Sequence, residues 1–297
     1  MKKKIQGIAS ILFATIIWGG AFVAQSTGMD LVGPFTFQAV RCGLAVVALA
    51  GFLALLEWKN LKDYFKKWAD PKLWKAGIFC GAALFVATSL QQFGLIYTDA
   101  GKAGFLTAMY IVIVPLFGLL LRKKPSFMAV ISIGVAVAGM YFLCCTSASG
   151  INIGDILLIG CAIAFAAQIT LVDRFAGDLD SFRLNAVQAL VVSLMSAVAM
   201  FLVETPDFQS ILQCWLPLSY AGVLSMGFGY SMQIIGQKRI ETTTASLLMS
   251  LESVFAVIFG AILLKETMTF QETLGCILVF TAVILSQIPV PEKKKVH

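Results

Sequence analysis

Apolar runs of roughly 20 residues recur along the whole of this chain, each long enough to cross a hydrocarbon core about 30 Å thick. A backbone in hydrocarbon has to satisfy its own hydrogen bonds, which leaves helices or closed barrels. Barrel strands alternate apolar and polar residues at period two. Runs such as "AVISIGVAVAGMYFL" (Ala129–Leu143) show no alternation. Only 13% of the residues are charged, against about 25% in soluble domains. The chain reads as an all-α polytopic membrane protein.

Breakers divide the apolar sequence into ten runs: Ile5–Ala24, Pro34–Leu56, Trp74–Tyr97, Ala103–Leu121, Phe127–Cys145, Ile153–Val172, Phe182–Val203, Trp215–Gly236, Thr243–Leu264 and Glu272–Ile288. The first has the basic start and apolar middle of a signal peptide. It continues to Ala24 without a small-x-small cleavage site and is read as a span. With the N-terminus in the cytoplasm, nineteen of the 22 Lys and Arg fall on the inner side. Lys102 and Lys265 fall outside, and Arg41 alone lies within a span. Every loop then obeys the positive-inside rule. This predicts a multi-pass protein of the inner (plasma) membrane with both termini cytoplasmic. It also makes the net charge of +6 a mark of topology rather than of nucleic-acid binding. The loop "WKNLKDYFKKWADPKLWK" (Trp58–Lys75) is read as an interfacial segment facing anionic lipid, with partner binding as the alternative.

The seven cysteines form no CxxC or Cys/His spacing, and the one histidine is His297. Cys42, Cys80, Cys144, Cys145, Cys161 and Cys276 fall in or at the ends of apolar runs, and Cys214 opens another, as buried free thiols would. No metal, cofactor or catalytic residue is expected. Intramembrane chemistry would need paired aspartates, a Ser/His arrangement or a metal cluster; Asp155 and Asp173 lie at helix ends.

The two halves repeat. At a shift of 142 residues "QQFGLIYTDAGKAGFL" (Gln91–Leu106) lies over "QIIGQKRIETTTASLL" (Gln233–Leu248), and Phe117–Gly118, Leu121 and Lys123 lie over Phe259–Gly260, Leu263 and Lys265. Asp99 lies over Glu241. Upstream the shift is 147, placing "FTFQAVR" (Phe35–Arg41) over "FRLNAVQ" (Phe182–Gln188). Five spans per half is an odd number, so the second half enters the membrane inverted. The expected layout is a first five-helix repeat over 1–146, a second, inverted one over 152–290, and a cytoplasmic basic tail over 291–297. Inverted repeats place a substrate site near the midplane between the halves, which points to transport.

Several strings carry a family likeness. "IIWGGAFVA", "FTFQAVRCGLA", "GDILLIGCAIAFA" and "ASLLMSLESVFAVIFGAILLKETMTFQETLGCILVF" resemble the EamA-type drug/metabolite transporters, and the likeness covers essentially the whole chain. The resemblance implies a ten-helix inverted-repeat carrier of small metabolites, often amino acids and often an exporter. Two positions depart from the family pattern. Ser253 stands where members often have proline, which leaves the bend of the ninth helix in doubt, and Lys265 stands where they often have glycine.

Polar groups within the spans are the site candidates. Arg41 lies about 10 Å deep at 1.5 Å per residue. It has three readings: a contact for an anionic group in the pathway, a structural tie to backbone carbonyls, or a snorkelling side chain. Its repeat mate Gln188 is neutral. Glu252 is beyond reach of water by stretching and should face the bundle interior. It pairs with a cation, bonds hydroxyls or stays protonated, as a structural acid or a coupling-proton site. Gln91, Gln92, Gln188 and Gln233 join them as substrate-binding candidates, with Gln25, Gln38 and Gln168 as further interior amides that bind zwitterions or bridge helices. Trp18, Phe22, Tyr110 and Tyr230 line a cavity or face lipid. Ala100, Gly104 and Ala108 read as a close-packing stripe, and Pro115 as a gating hinge or a static kink.

The expected function is a secondary transporter of small polar metabolites, amino acids or related compounds, working by alternating access as an exporter or facilitator. The alternative is an exporter of hydrophobic or lipid-like compounds on the same fold. No P-loop occurs, so movement is gradient-driven or facilitated. The expected partners are a small-molecule substrate and the lipid bilayer, with no nucleic acid. The fifth and tenth helices look peripheral and leave a homodimer open.

Overall fold

A computed structural model describes residues 2–97, 100–122, 125–144, 152–263 and 269–287. Expectations that rest on Asp99, Lys123, Cys145, Lys265, the side chains of Ala100 and Cys144 or the tail 291–297 lie outside the described residues. Each of the ten apolar runs is helical over most of its described residues. In chain order the elements are α1 (Lys2–Met29), α2 (Pro34–Leu56), α3 (Leu61–Trp68), α4 (Pro71–Tyr97), α5 (Ala100–Ala108), α6 (Tyr110–Leu120), α7 (Phe127–Cys144), α8 (Ile153–Phe175), α9 (Ser181–Val203), α10 (Phe208–Gln213), α11 (Trp215–Ser219), a π-helical segment (Tyr220–Gly229), α12 (Tyr230–Gln237), α13 (Thr242–Met249), α14 (Leu251–Leu263) and α15 (Phe270–Ser286).

Seven of these stretches are long and apolar enough to cross a bilayer, and Phe127–Phe142 and Phe270–Ser286 are shorter apolar helices. The remaining run, Trp215–Gly236, is divided by the π-helical segment. The helix starts follow local chemistry. Pro34 opens α2, where its missing N–H costs nothing. Asn152 with Asp155 and Thr269 with Glu272 form reciprocal caps on α8 and α15.

Two runs expected to be continuous are broken. One breaks at Met109, between α5 and α6, and the other at Ser250, between α13 and α14. At the second break Ser246 and Ser250 turn their hydroxyls back onto the carbonyls of Thr243 and Leu247, at 2.8 and 2.7 Å, and compete with the helix ladder. The helix is therefore interrupted there without a proline at Ser253. Pro115 sits buried inside α6, which runs through it, so the interruption lies six residues before the expected hinge. Proline disturbs the turn that precedes it, and Met109 is beyond that turn.

Helices of the first half find their main neighbours in the second. α1 packs on α12, α13 and α14; α2 on α9 and the π segment; α4 on α8 and α9; α6 on α8; and α7 on α15. α7 and α15, expected from the sequence as the fifth and tenth helices, thus pack on each other within one chain. At that contact a Cβ on Gly139 would stand 2.7 Å from Leu278 Cβ and 2.9 Å from the Val279 nitrogen. Gly104 is different, since nothing lies within 4 Å of its added Cβ. The expected close-packing stripe does not hold at Gly104, although Ala108 on the same face is fully buried.

α2 and α9 are tied at both ends. Where α2 begins, the Glu204 carboxylate accepts from the Phe35 and Thr36 nitrogens and Thr36 Oγ1, at 2.8, 2.9 and 2.6 Å. It caps a helix N-terminus from across the bundle. A Cβ on Gly33 would meet that carboxylate at 2.4 Å, so a larger residue there would displace the cap. Where α2 ends, Glu57 accepts from Lys67 at 2.8 Å and from Arg183 at the start of α9. Arg183 is 2% exposed, with its guanidinium 5.7 Å from the rings of both Tyr64 and Trp68 on α3. Hydrogen bonds from Lys67 and then Arg183 hold the Glu57 carboxyl below its ordinary range. The two ties share the repeat's spacing of 147, with Glu57 matching Glu204 and Thr36 matching Arg183.

Candidate functional site

A cavity of about 580 Å³, counting its mouth, opens among α1, α2, α4, α6, α8, the π segment, α12, α13 and α14. Arg41, Glu252, Trp18, Gln91, Tyr110, Tyr230 and Gln233 all line it. Gln188 does not; it stands behind the wall and holds Gln168, which does. Gln92 is buried away from the cavity, with both amide atoms lacking a hydrogen-bond partner. Phe22, Gln25, Phe165 and Met249 belong to the wall as well.

Arg41 is 5% exposed, so it does not snorkel. Its Nη1 donates to Gln25 Oε1 at 2.7 Å, and its guanidinium carbon stands 5.6 Å from the centre of the Phe37 ring. Its Nε has no partner, which leaves donor capacity on a cation at the cavity wall. Glu252 accepts from Tyr110 Oη at 3.1 Å. Arg41 and Glu252 share the cavity without an ion pair between them. Trp18 and Tyr230 meet with ring centres 4.9 Å apart. Gly229 allows that approach, since a Cβ there would lie 2.8 Å from Trp18 Nε1.

The polar wall is built in related pairs. Ala21–Gln25 ("AFVAQ") and Ala164–Gln168 ("AFAAQ") match at a shift of 143, which relates Phe22 to Phe165 and Gln25 to Gln168. With the shifts of 142 and 147, Gln91 pairs with Gln233, Tyr110 with Glu252, and Arg41 with Gln188. Hydrogen bonds follow the same relation. Arg41 donates to Gln25 in one half, and Gln168 Nε2 donates to Gln188 Oε1 at 3.0 Å in the other. Gln38 Nε2 donates to Ser89 Oγ at 3.2 Å, and Asn185 Nδ2 to Ser231 Oγ at 3.1 Å. The short AFxAQ match was the sequence signal for Phe165 and for the grouping of Gln25 with Gln168. Met249 and Met226 had no such signal, because a cavity methionine and a core methionine look alike in sequence.

The two halves differ in how far these bonds close. On the Gln188 side, Gln233 donates to Gln168 at 3.2 Å and Gln188 to Asn185 at 3.1 Å. The Asn185 amide donates to the carbonyls of Met226 and Gly227, at 2.8 and 2.7 Å, within the π segment. Asn185 thus bonds two successive carbonyls of the π segment, and the Gly227 carbonyl accepts from Tyr230 N–H and Ser231 Oγ as well. On the Arg41 side, Gln38 Oε1 and Arg41 Nε are left open. The amide network on the Gln188 side is more fully bonded, with Gln233 Oε1 left open, and the Arg41 side keeps unused donor capacity on a cation. Among the described residues no group of three metal-ligating side chains occurs.

The comparisons with known proteins agree with this architecture. A solved structure superimposes with a TM-score of 0.77 over 96% of both chains at 18% identity, which is a likeness of fold. An uncharacterized transporter of Archaeoglobus fulgidus is 30% identical over 285 residues, covering 95% of this chain and 86% of that protein. The threonine/homoserine exporter RhtA of Escherichia coli K12 is 27% identical over 284 residues, covering 94% of this chain and 90% of its own. The model of the EamA-like transporter family matches residues 5–145 and again residues 152–287. A chain of apolar helices matched by that model over both halves is a multi-pass membrane protein that belongs to the EamA-like transporter family.

Proposed function

We propose that this transporter is a secondary carrier for small polar metabolites, amino acids or related zwitterions. It alternates access between two inverted five-helix halves and works as an exporter or facilitator. The observation that carries the reading is one cavity holding a guanidinium with a spare donor and a carboxylate, not paired with each other. A zwitterion offers each of them an opposite charge. Three further points support it: the residue pairs spaced by 142 to 147, the double family match, and the relative named as an exporter of threonine and homoserine. The charge count supports a ten-span path in the inner membrane with both termini in the cytoplasm. Arg41 then lies toward the outer face, and the Gln168–Gln188 amide network toward the cytoplasm.

Trp18, Phe22, Phe165, Met226 and Met249 also line the cavity, which favours a second reading, export of hydrophobic compounds. Counterflow separates the two. Purified protein in liposomes preloaded with one amino acid should exchange it for labelled external amino acid with saturation. Flux of lipophilic cations without any amino acid exchange selects the second reading, and no protein-dependent flux in either panel overturns both.

A further inference from the structure

Resting on that carrier reading, we propose that Glu252, held by Tyr110, is the proton site of the transport cycle and that its proton and the substrate's cationic group exclude one another. Glu252 stands on the first turn of α14 beside the break at Ser250, and Tyr110 on the first turn of α6 beside the break at Met109. The repeat relates these two residues to each other, and they are joined by a single hydrogen bond of 3.1 Å. A pair that the repeat maps onto itself keeps its central place when the halves exchange conformations. It is therefore presented to each side of the membrane in turn, which a coupling site requires.

Around it the charges are few. Across the cavity stand Arg41 on α2, bonded to Gln25, and Tyr230 on α12; Cys161 on α8 is buried nearby. Of the elements packed on α14, α13 has no ionisable residue and α1 has lysines only at its start. α15 carries Glu272 and Cys276, and α5 carries Lys102, whose side chain lies outside the described residues. Tyr110 is the hydrogen-bond partner of Glu252, and no ion pair among the described residues neutralises it. A carboxylate in the membrane interior without a cation is costly. The empty site relieves that cost by binding one proton on a Glu252 carboxyl oxygen. When an ammonium group arrives, that O–H bond breaks and the proton leaves to water in the open mouth. The ammonium then takes its place as counter-charge, so one proton moves one way for each cationic group moved the other. Tyr110 Oη serves both states, as donor to the carboxylate and as acceptor from the acid.

The test is proton release on binding, with the purified full-length protein and, as probe, the amino acid that exchanges fastest in the counterflow panel, threonine first. Calorimetry in two buffers of different ionisation enthalpy should show about one proton released per probe bound, and the probe's Kd should tighten about tenfold per pH unit while the site is protonated. Glu252→Gln should bind more weakly and release none, while Tyr110→Phe should still release a proton with its pH dependence displaced. Should the Gln variant not fold, the wild type alone decides. A Kd independent of pH from about 5 to 9, with no proton release, overturns the proposal while leaving a carrier that exchanges the probe. Absence of exchange for every probe overturns the carrier reading and this one together.

Discussion

At the scale of the residue, Arg41 is a cation held by one amide, over an aromatic face, with a donor unused. Charge-assisted bonds contribute about 1.5–3 kcal/mol. Arg41→Ala is expected to raise the KM for zwitterionic substrates about tenfold to a hundredfold and to leave neutral analogues nearly unchanged. Equal effects on both classes, measured by concentration-dependent counterflow, would assign Arg41 to structure. The residue was conspicuous in the sequence because it is the lone cation within a span. Its bond to Gln25 was not, since that depends on how α1 and α2 come together. Gln92 and Gln188 show the same limit. Helical periodicity separates interior from lipid-facing amides, but it does not tell a wall from the layer behind it.

At the scale of the element, helix starts and apolar runs were readable because caps, prolines and hydropathy act locally. The breaks at Met109 and Ser250 and the π segment were not, since each depends on side chains competing for carbonyls within a packed bundle. Glycines divide along the same line. Gly139→Ala should push α7 from α15 and cost about 1–3 kcal/mol. Gly104→Ala, in open space, should gain about 0.5–1 kcal/mol through helix propensity. Thermal unfolding in detergent should move in opposite directions for the two, and a loss in both would contradict the open space at Gly104. The tie between α2, α3 and α9 carries a pH signature. Because the Glu57 carboxyl is held below its ordinary value of 4.5, its contribution is complete above that value and is lost as pH falls through the lower folded one. The midpoint of unfolding should drop as pH falls below about 4.5, and Glu57→Gln should flatten that drop; an unchanged slope would remove Glu57 from the account.

At the scale of the whole molecule, the helical class was legible because the bilayer imposes one length and one polarity on every span. What the sequence withheld is which helices touch. A reporter fused after His297 should be active in the cytoplasm and silent outside it, as the charge distribution requires; the reverse would invert the proposed path. The interleaving of the halves has a consequence for synthesis. α2 is joined to α9 through residues 126 apart at one end and 168 apart at the other, and α1 and α7 wait for α14 and α15. The ribosome therefore delivers a first set of helices whose polar faces have no mates until the chain is almost finished. During that interval the nascent half has to be sheltered from lipid and from proteolysis, so defects late in the sequence should be felt as early loss of the protein rather than as a slow carrier.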